Sequence, residues 1–482
     1  MKKIGIITFH ASNNCGSMLQ AYALQKVIQN RYKAVCEIID FSNSEQKRMY
    51  SVLYKPKRMK DIFRNMLNLL FYRQIQRHNN DYARFKDNNL CLSKKQYSTL
   101  QELEREDFPY DTYIAGSDQV WNINAQDFDD AYFLPFVKKG KKIAYAVSLG
   151  ATNPNYSKKR EKYSKYVGDF TGISVREKNA QKWIRELANK DVNICVDPTL
   201  LLSTDEWETI TDEREIKGRY IFWYTMIYKK EISDIVQQVS KKYGMPVYVM
   251  DAKEWSRRAL YLKGIKLAHN GGPSSYLSLV KNAEIVLTSS FHGTVFCNVF
   301  KKNFWYINIH DKDTNDDRAS FLLSQLGLSD RYIRKSEVLK MDLMTLPVYP
   351  EKSPINSTVK ESLEFLDSFC RKSTISCRLS LASSSPATSA NLMDLPSSTT
   401  YCLAPDLPPP KIMLLAPPVI SPTRLRIMRL NQTIRMIMGS SEMTQPSRVS
   451  TQVVWLYTLP KETPALSNRL TSCRSCAMEL VQ

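Results

Sequence analysis

Short apolar runs alternate with amphipathic stretches over the first 372 residues, and this alternation restricts the possible folds more than any other feature. The first group of apolar runs covers residues 4–9, 36–40, 112–115, 143–148, 172–175 and 192–196. Stretches between them, such as 18–29 and 179–187, have the spacing of amphipathic helices. Because strands that alternate with helices form parallel sheets, residues 1–202 are predicted to form a Rossmann-like, doubly wound α/β domain.

A second series follows a linker around residues 202–218. Its predicted strands are 220–224, 247–250, 285–288 and 304–307, and its predicted helices are 232–243, 274–281 and 319–326. We therefore expect a second Rossmann-like domain over residues 219–372. Ligands of such sheets bind at the carboxyl ends of the strands, so the cleft between the domains is the expected site. Residues 42–100 are a basic helical insertion expected over this cleft or its flank.

The sequence changes character after residue 372. Residues 373–482 contain 12 of the 22 prolines but only one of the 15 glycines, and the last phenylalanine is Phe369. Without helical or strand periodicity, such a segment cannot offset its ordering entropy by packing an apolar face. We expect a disordered Ser/Pro-rich tail. Out-of-frame translation and a linker to a degenerate C-terminal module are the other two interpretations.

The net charge of +20 favours an anionic partner, and +15 of it lies in residues 1–372. No recognisable nucleic-acid module accompanies the basic runs, so no nucleic-acid partner is predicted. Solvated basic faces account for the charge, and they would suit peripheral association with a membrane surface that carries an anionic, lipid-linked sugar.

Cysteines and apolar segments indicate the compartment. Among the ten cysteines only Cys473 and Cys476 form a CxxC pair, so reduced thiols and no metal site are predicted. The apolar stretch 4–9 is too short for a signal peptide, and no segment reaches the length of a membrane span. A cytoplasmic protein is expected.

The most distinctive motif is TSSFHGT, residues 288–294, directly after a predicted strand. In this motif His292 follows the hydroxyl residues Ser289 and Ser290 and precedes the small residue Gly293, at a predicted helix start. A general acid/base or phosphate-contact role is favoured for His292. The alternative is a structural histidine within the turn.

Three further segments each follow a predicted strand of the first domain, at its carboxyl end. In the first, HASNNCGS, Asn14, Gly16 and Ser17 could seat an anion at a helix N-terminus or simply cap an ordinary turn.

The second segment, AGSDQVWN, presents the Ser117 hydroxyl and the Asp118 carboxylate, and Asp118 could position a sugar hydroxyl. Trp121 in the same segment is read as core. The third, ISVRE, ends in Arg176, which could clamp a carboxylate or phosphate or form an ordinary salt bridge.

Taken in order, these motifs resemble the polysaccharide pyruvyl transferase family over roughly residues 1–370. The segments that carry the resemblance are ITFHASNNCGSMLQAYALQ, AGSDQVWN, KKIAYAVSLG, ISVRE, VDPTLLL, SSYLSLVKNAEIVLTSSFHGTVF and DDRASFLLSQLGL. The resemblance implies two Rossmann-like domains facing a cleft, in a glycosyltransferase B-like arrangement.

It also implies transfer of a pyruvyl group from phosphoenolpyruvate to sugar hydroxyls of a polysaccharide precursor, such as an exopolysaccharide unit, giving a pyruvate ketal. The acceptor would be a nucleotide- or lipid-linked sugar, and phosphoenolpyruvate would be a substrate rather than a cofactor. By the resemblance, Arg176 matches the donor-binding arginine and His292 the motif histidine. Many members carry arginine where this chain has Ser290.

Two other functions stay open at this stage. A glycosyltransferase on the same two-domain plan would use a nucleotide sugar instead of phosphoenolpyruvate. A non-catalytic binding module for acidic glycan or nucleic acid would account for the basic charge.

Overall fold

The computed structural model describes residues 1–56, 59–310 and 315–371 of the chain, and within them the N-terminal half forms a six-stranded parallel sheet. The strand order is β2-β1-β3-β4-β5-β6. The strands are β1 (Lys3–Ile7), β2 (Val35–Ile38), β3 (Thr112–Asp118), β4 (Lys141–Val147), β5 (Gly172–Val175) and β6 (Asn193–Ile194). The predicted tail, residues 373–482, lies outside the described residues.

The second half contains another six-stranded parallel sheet, in the order β12-β11-β10-β7-β8-β9. Its strands are β7 (Ile221–Tyr224), β8 (Val247–Val249), β9 (Lys266–Leu267), β10 (Ile285–Thr288), β11 (Phe304–Asn308) and β12 (Tyr332–Arg334). The predicted α/β class with two parallel sheets is therefore confirmed.

Helices cover both sheets, as parallel strands require crossover connections. They are α1 (Cys15–Tyr32), α2 (Ser44–Tyr50), α3 (Met59–Leu70), α4 (Tyr72–Asn89), α5 (Leu100–Arg105), α6 (Arg160–Gly168), α7 (Lys178–Ala188), α8 (Thr204–Glu208), α9 (Lys230–Tyr243), α10 (Ala252–Arg257), α11 (Gly272–Asn282), α12 (Phe291–Val299), α13 (Arg318–Leu326) and α14 (Ile355–Cys370). Among them, none has the length and apolar character needed to cross a bilayer.

Strand β1 shows why the sheet is buried on both faces. Ile4 and Ile6 belong to one apolar cluster, whereas Ile7 and Phe9 belong to another. Since alternate residues of a strand point to opposite faces, each face of this sheet carries its own core. Such strands therefore appear in the sequence as nearly continuous apolar runs.

Each of the ten predicted strands overlaps an observed one, but β9 and β12 were not predicted. These two strands have two and three residues and lie at the edges of the second sheet. Unlike the equally short β6, which lies in the apolar run 192–196, they lie in GIKLA and RYIRK, where charged residues interrupt the apolar pattern.

The 42–100 insertion is helical, and its helix α4 contacts the C-terminal half. The His78 ring nitrogens lie 3.0 Å from the carbonyl oxygen of Met250 and 3.1 Å from that of Ala268. His78 is buried, and desolvation lowers its pKa. This histidine thus joins the insertion to β8 and β9.

The last described helix, α14, returns from the second sheet to the first. The Ser362 hydroxyl oxygen accepts a hydrogen bond from the Val196 amide at 2.9 Å. The Phe365 ring packs near Tyr145 with centroids 6.3 Å apart, and Arg31 Nε donates to Asp367 Oδ1 at 2.8 Å. Helix α14 therefore couples the two halves.

We expect Phe365→Ala to lower the free energy of unfolding by about 3 kcal/mol, because it removes a buried ring between α14 and β4. Chemical denaturation measures the change. Glu364→Ala is the matched control, since Glu364 on the same helix is exposed. Equal stability of the two variants would show that α14 is not packed on the first sheet.

Candidate active site

The carboxyl ends of both sheets border one cavity of about 450 Å³. The N-terminal half contributes Asn14, Asp118, Gln119, Ala151 and Arg176. The C-terminal half contributes Met226, Ile227, Ser289, Ser290, Phe291, His292, Tyr306, Asn308, Ile309, His310, Asp316, Arg318, Ala319 and Tyr332. The cavity therefore contains charged groups from both halves.

Arg176 lies between two buried carboxylates at this edge. Its Nη2 donates to Asp118 Oδ1 at 3.1 Å, and its Nη1 donates to Asp197 Oδ2. Asp197 also accepts hydrogen bonds from the Ser117 hydroxyl at 3.0 Å and from the Thr199 hydroxyl at 2.6 Å. The Arg176 side chain is 1% exposed. Removing one partner would leave a buried charge uncompensated, at a cost of about 3–5 kcal/mol.

The local backbone explains how these groups meet. Asp118 ends β3 with φ 65°, a left-handed conformation uncommon for aspartate, while Gly116 in the same strand has φ 149°. A Cβ at Gly116 would lie 2.4 Å from the Tyr145 carbonyl oxygen, so only glycine allows this approach of β3 to β4. Arg176 follows β5 and Asp197 follows β6, so their side chains come from neighbouring strand ends.

Burial and charge compete at the two aspartates. Burial alone would raise the pKa of Asp118, but the charges of Arg176 and His292 outweigh it and keep that pKa below its usual value. The same balance holds the pKa of Asp197 far below its usual range, with His292 and Arg176 as the main opposing charges. Both carboxylates are therefore ionised near neutral pH.

Glu177, the residue after Arg176, behaves in the opposite way. Burial raises its pKa to about 7, although Arg176 and Arg318 oppose the rise. Its Oε1 accepts a hydrogen bond from the Leu149 amide at 2.9 Å. Its Oε2 lies 3.9 Å from Arg176 Nε, and neither atom has a hydrogen-bond partner among the residues that the structure describes. Glu177 is thus a buried carboxyl that titrates near neutral pH.

His292 lies in the first turn of α12 and lines the cavity. The Ser290 side chain caps this helix by accepting from the Gly293 amide at 3.4 Å. The His292 Nε2 lies 3.4 Å from Asp197 Oδ2, within ion-pair distance but without the alignment of a hydrogen bond. Within the described part of the chain this nitrogen has no hydrogen-bond partner, and His292 lines the cavity, so its imidazole is a candidate acid–base group.

Helix α1 supports His292 from the other half. A Cβ at Gly16 would lie 2.1 Å from His292 Nδ1, so the ring packs directly on the Gly16 backbone. The Asn14 side chain accepts from the Gly16 and Ser17 amides at 3.0 and 3.4 Å, while the Ser17 hydroxyl donates to Asp118 Oδ2 at 2.5 Å. In the loop that could seat an anion, the Gly16 and Ser17 amides therefore already donate to the Asn14 side chain.

The remaining predicted residues have structural contacts. The Ser289 and Thr225 hydroxyls lie 2.5 Å apart, and a Cβ at Gly293 would lie 2.1 Å from Thr288 Oγ1. Trp121 is buried and stacks on Phe133 with centroids 4.9 Å apart, which confirms its interpretation as a core residue.

Four site residues were not assigned from the sequence: Asp197, Glu177, Asp316 and Arg318. Asp197 follows strand β6 and lies directly after the predicted strand 192–196 in the segment VDPTLLL, so the sequence carried the same strand-end signal that marked Arg176. Arg318 Nε and Nη2 donate to the two carboxylate oxygens of Asp316 at 2.7 and 2.5 Å. This bidentate pair lines the same cavity as Arg176.

Both sheets contribute strand ends to one cavity, so the chain has two α/β halves with the candidate site between them, as the predicted glycosyltransferase B-like arrangement implies. The model of the polysaccharide pyruvyl transferase family matches residues 14–311. This is more than half of the chain, and the chain belongs to that family; it is accordingly a transferase of polysaccharide biosynthesis. The match includes Asp118, Arg176, Asp197 and His292 and ends before Arg318.

Two solved structures are representative of the similar folds. The UDP-GlcNAc 2-epimerase of Methanocaldococcus jannaschii in complex with UDP-GlcNAc and UDP is 12% identical, with a TM-score of 0.44, covering 76% of this chain and 100% of the epimerase chain. The E. coli heptosyltransferase WaaC with ADP is 10% identical, with a TM-score of 0.35, covering 75% of this chain and 99% of the other. A search of curated proteins finds no match.

The raised pKa of Glu177 predicts a pH-dependent stability. Between about pH 4.5 and 7 the unfolded chain releases this proton while the folded protein retains it, so stability falls as pH rises. In Glu177→Gln this loss is absent. We therefore expect the unfolding free energy of Glu177→Gln, relative to that of the parent protein, to increase by up to about 3 kcal/mol between pH 4.5 and 7.

Denaturation at a series of pH values measures the difference. Glu186→Gln is the control, since Glu186 lies on α7 with a partly exposed side chain. Parallel stability curves for Glu177→Gln and the parent protein would contradict the prediction.

Proposed function

We propose that the chain transfers a pyruvyl group from phosphoenolpyruvate to two hydroxyls of a nucleotide- or lipid-linked sugar, forming a cyclic ketal. The observation that carries the proposal is the position of His292, which lines the cavity with its Nε2 next to the ionised Asp197 carboxylate, in a chain of the pyruvyl transferase family. This position supports an acid–base role for His292.

The reaction consists of two additions to the same carbon. Protonation of C3 of the enol phosphate makes C2 electrophilic, and the first sugar hydroxyl adds there while losing its proton. Phosphate then leaves with the electrons of its C–O bond, and the second hydroxyl adds to C2 to close the ketal while its proton passes to the released phosphate. We propose that His292 gives the first proton and receives one from an attacking hydroxyl.

The two guanidinium groups differ in their availability. Arg176 is paired with two carboxylates and almost fully buried, whereas Arg318 pairs with Asp316 and its side chain is 17% exposed at the cavity. We therefore assign the contact with the anionic donor to Arg318, in place of the arginine absent at Ser290. Arg176 holds Asp118 and Asp197, and Asp118 is proposed for the acceptor side.

Turnover is measured as phosphate release from phosphoenolpyruvate with a panel of nucleotide- and lipid-linked sugars, and mass spectrometry detects the added pyruvyl group. We expect His292→Gln to lower turnover by roughly 10²–10⁴-fold, because it removes the proton donor. His269→Gln is the control, since His269 is exposed in the same half.

Thermal stability is recorded on the same samples. Full turnover in folded His292→Gln would remove the catalytic assignment. Release of nucleotide from nucleotide sugars without consumption of phosphoenolpyruvate would favour a glycosyltransferase instead.

The contact between Gly16 and His292 gives a second, independent prediction. We expect Gly16→Ala to lower turnover by roughly tenfold or more, because its Cβ must displace the imidazole from its position. Gly168→Ala is the matched control, since a Cβ on that helical glycine meets no atom within 4 Å. Equal turnover of the two variants would show that the imidazole position is not set by α1.

A further inference from the structure

Helix α3 of the insertion has an apolar face that points away from the protein. Six of its apolar side chains recur at helical spacing along one stripe and are 44–79% exposed. They are Met59, Ile62, Phe63, Met66, Leu69 and Leu70. A helix of a globular protein normally buries such an apolar stripe against the core, whereas α3 exposes it to solvent.

Polar contacts fix this orientation. Asp61 and Asn68, on the opposite side of α3, are 4% and 0% exposed. Asn68 Nδ2 donates to the Val52 carbonyl oxygen at 2.6 Å, and the Asn65 amide pairs with both the N–H and the carbonyl of Tyr54. Turning α3 over would break these bonds, so the outward apolar stripe belongs to the native packing.

The stripe continues onto the C-terminal half. Phe71, at the end of α3, packs against Trp255 and Tyr261 with centroids 5.4 Å apart in each case. Next to Tyr261, Leu262 is 77% exposed. The apolar surface thus spans the contact between the insertion and the segment after α10.

The surrounding charge favours an anionic surface. Residues 59–77 contain four Lys or Arg and one acidic residue, Asp61, which lies 3.6 Å from Arg64. Residues 251–266 contain five Lys or Arg against two acidic residues. Two copies of a chain with net charge +20 would bring like charges together at this surface, whereas anionic headgroups would complement them.

We infer that α3, extended by Leu262, is an interfacial helix that docks the protein on an anionic bilayer. An apolar stripe flanked by basic residues, on a helix too short to span, is the pattern of helices that lie in the membrane interface. The inference goes beyond the proposed reaction and does not depend on it.

Co-sedimentation of the full chain with vesicles tests the inference. We expect binding to vesicles of phosphatidylcholine mixed with phosphatidylglycerol, weaker binding to phosphatidylcholine alone, and a loss of binding as salt rises. Phe63→Ser combined with Leu70→Ser should weaken binding roughly 100-fold, because two exposed anchors are removed. The control is Leu346→Ser combined with Val348→Ser, since these residues are equally exposed elsewhere.

Circular dichroism checks that both double variants fold, and phosphate release with a water-soluble acceptor reports the reaction separately. Parent-like binding by Phe63→Ser/Leu70→Ser would overturn the inference, as would no binding of the parent at low salt. A dimer of the parent that the same variant dissociates, without vesicle binding, would assign the surface to a second copy and also overturn it.

Discussion

The site depends on one buried cation, the Arg176 guanidinium, held between Asp118 and Asp197. Each of these charges would be costly to bury alone, so the three are stable only together and in the observed geometry. The three residues lie at the carboxyl ends of β3, β5 and β6. Their charges can pair only if these strands keep their order in the sheet and end at these positions. Asp197 then extends the cluster to His292 of the second half.

Contacts between the halves complete this arrangement. The imidazole of His292 packs on Gly16, and helix α14 returns from the second sheet to pack on the first. His78 adds a third link through β8 and β9. Contacts with both halves of the chain therefore fix the groups that border the cavity proposed for the donor. A reaction with several proton transfers requires such fixed positions.

Much of the fold could be predicted from the sequence because buried parallel strands appear as apolar runs. His292 could be predicted as a site residue because a rare residue type directly follows a predicted strand. Asp197 was missed although it directly follows the predicted strand 192–196, because its pairing with Arg176 is set by tertiary packing. Glu177 was missed because burial also depends on tertiary packing rather than on local pattern. The amphipathic pattern of α3 is visible in the sequence. Its outward orientation is not, because that depends on the hydrogen bonds of Asn65 and Asn68 to the preceding segment.

The central claim is that phosphoenolpyruvate binds between the two sheets, and a crystal structure of the protein with this compound tests it most directly. The account predicts the donor in the 450 Å³ cavity, with an anionic group on Arg318 and its C3 carbon within reach of His292. A donor bound elsewhere on the protein, with this cavity empty or filled only by a nucleotide sugar, would contradict it.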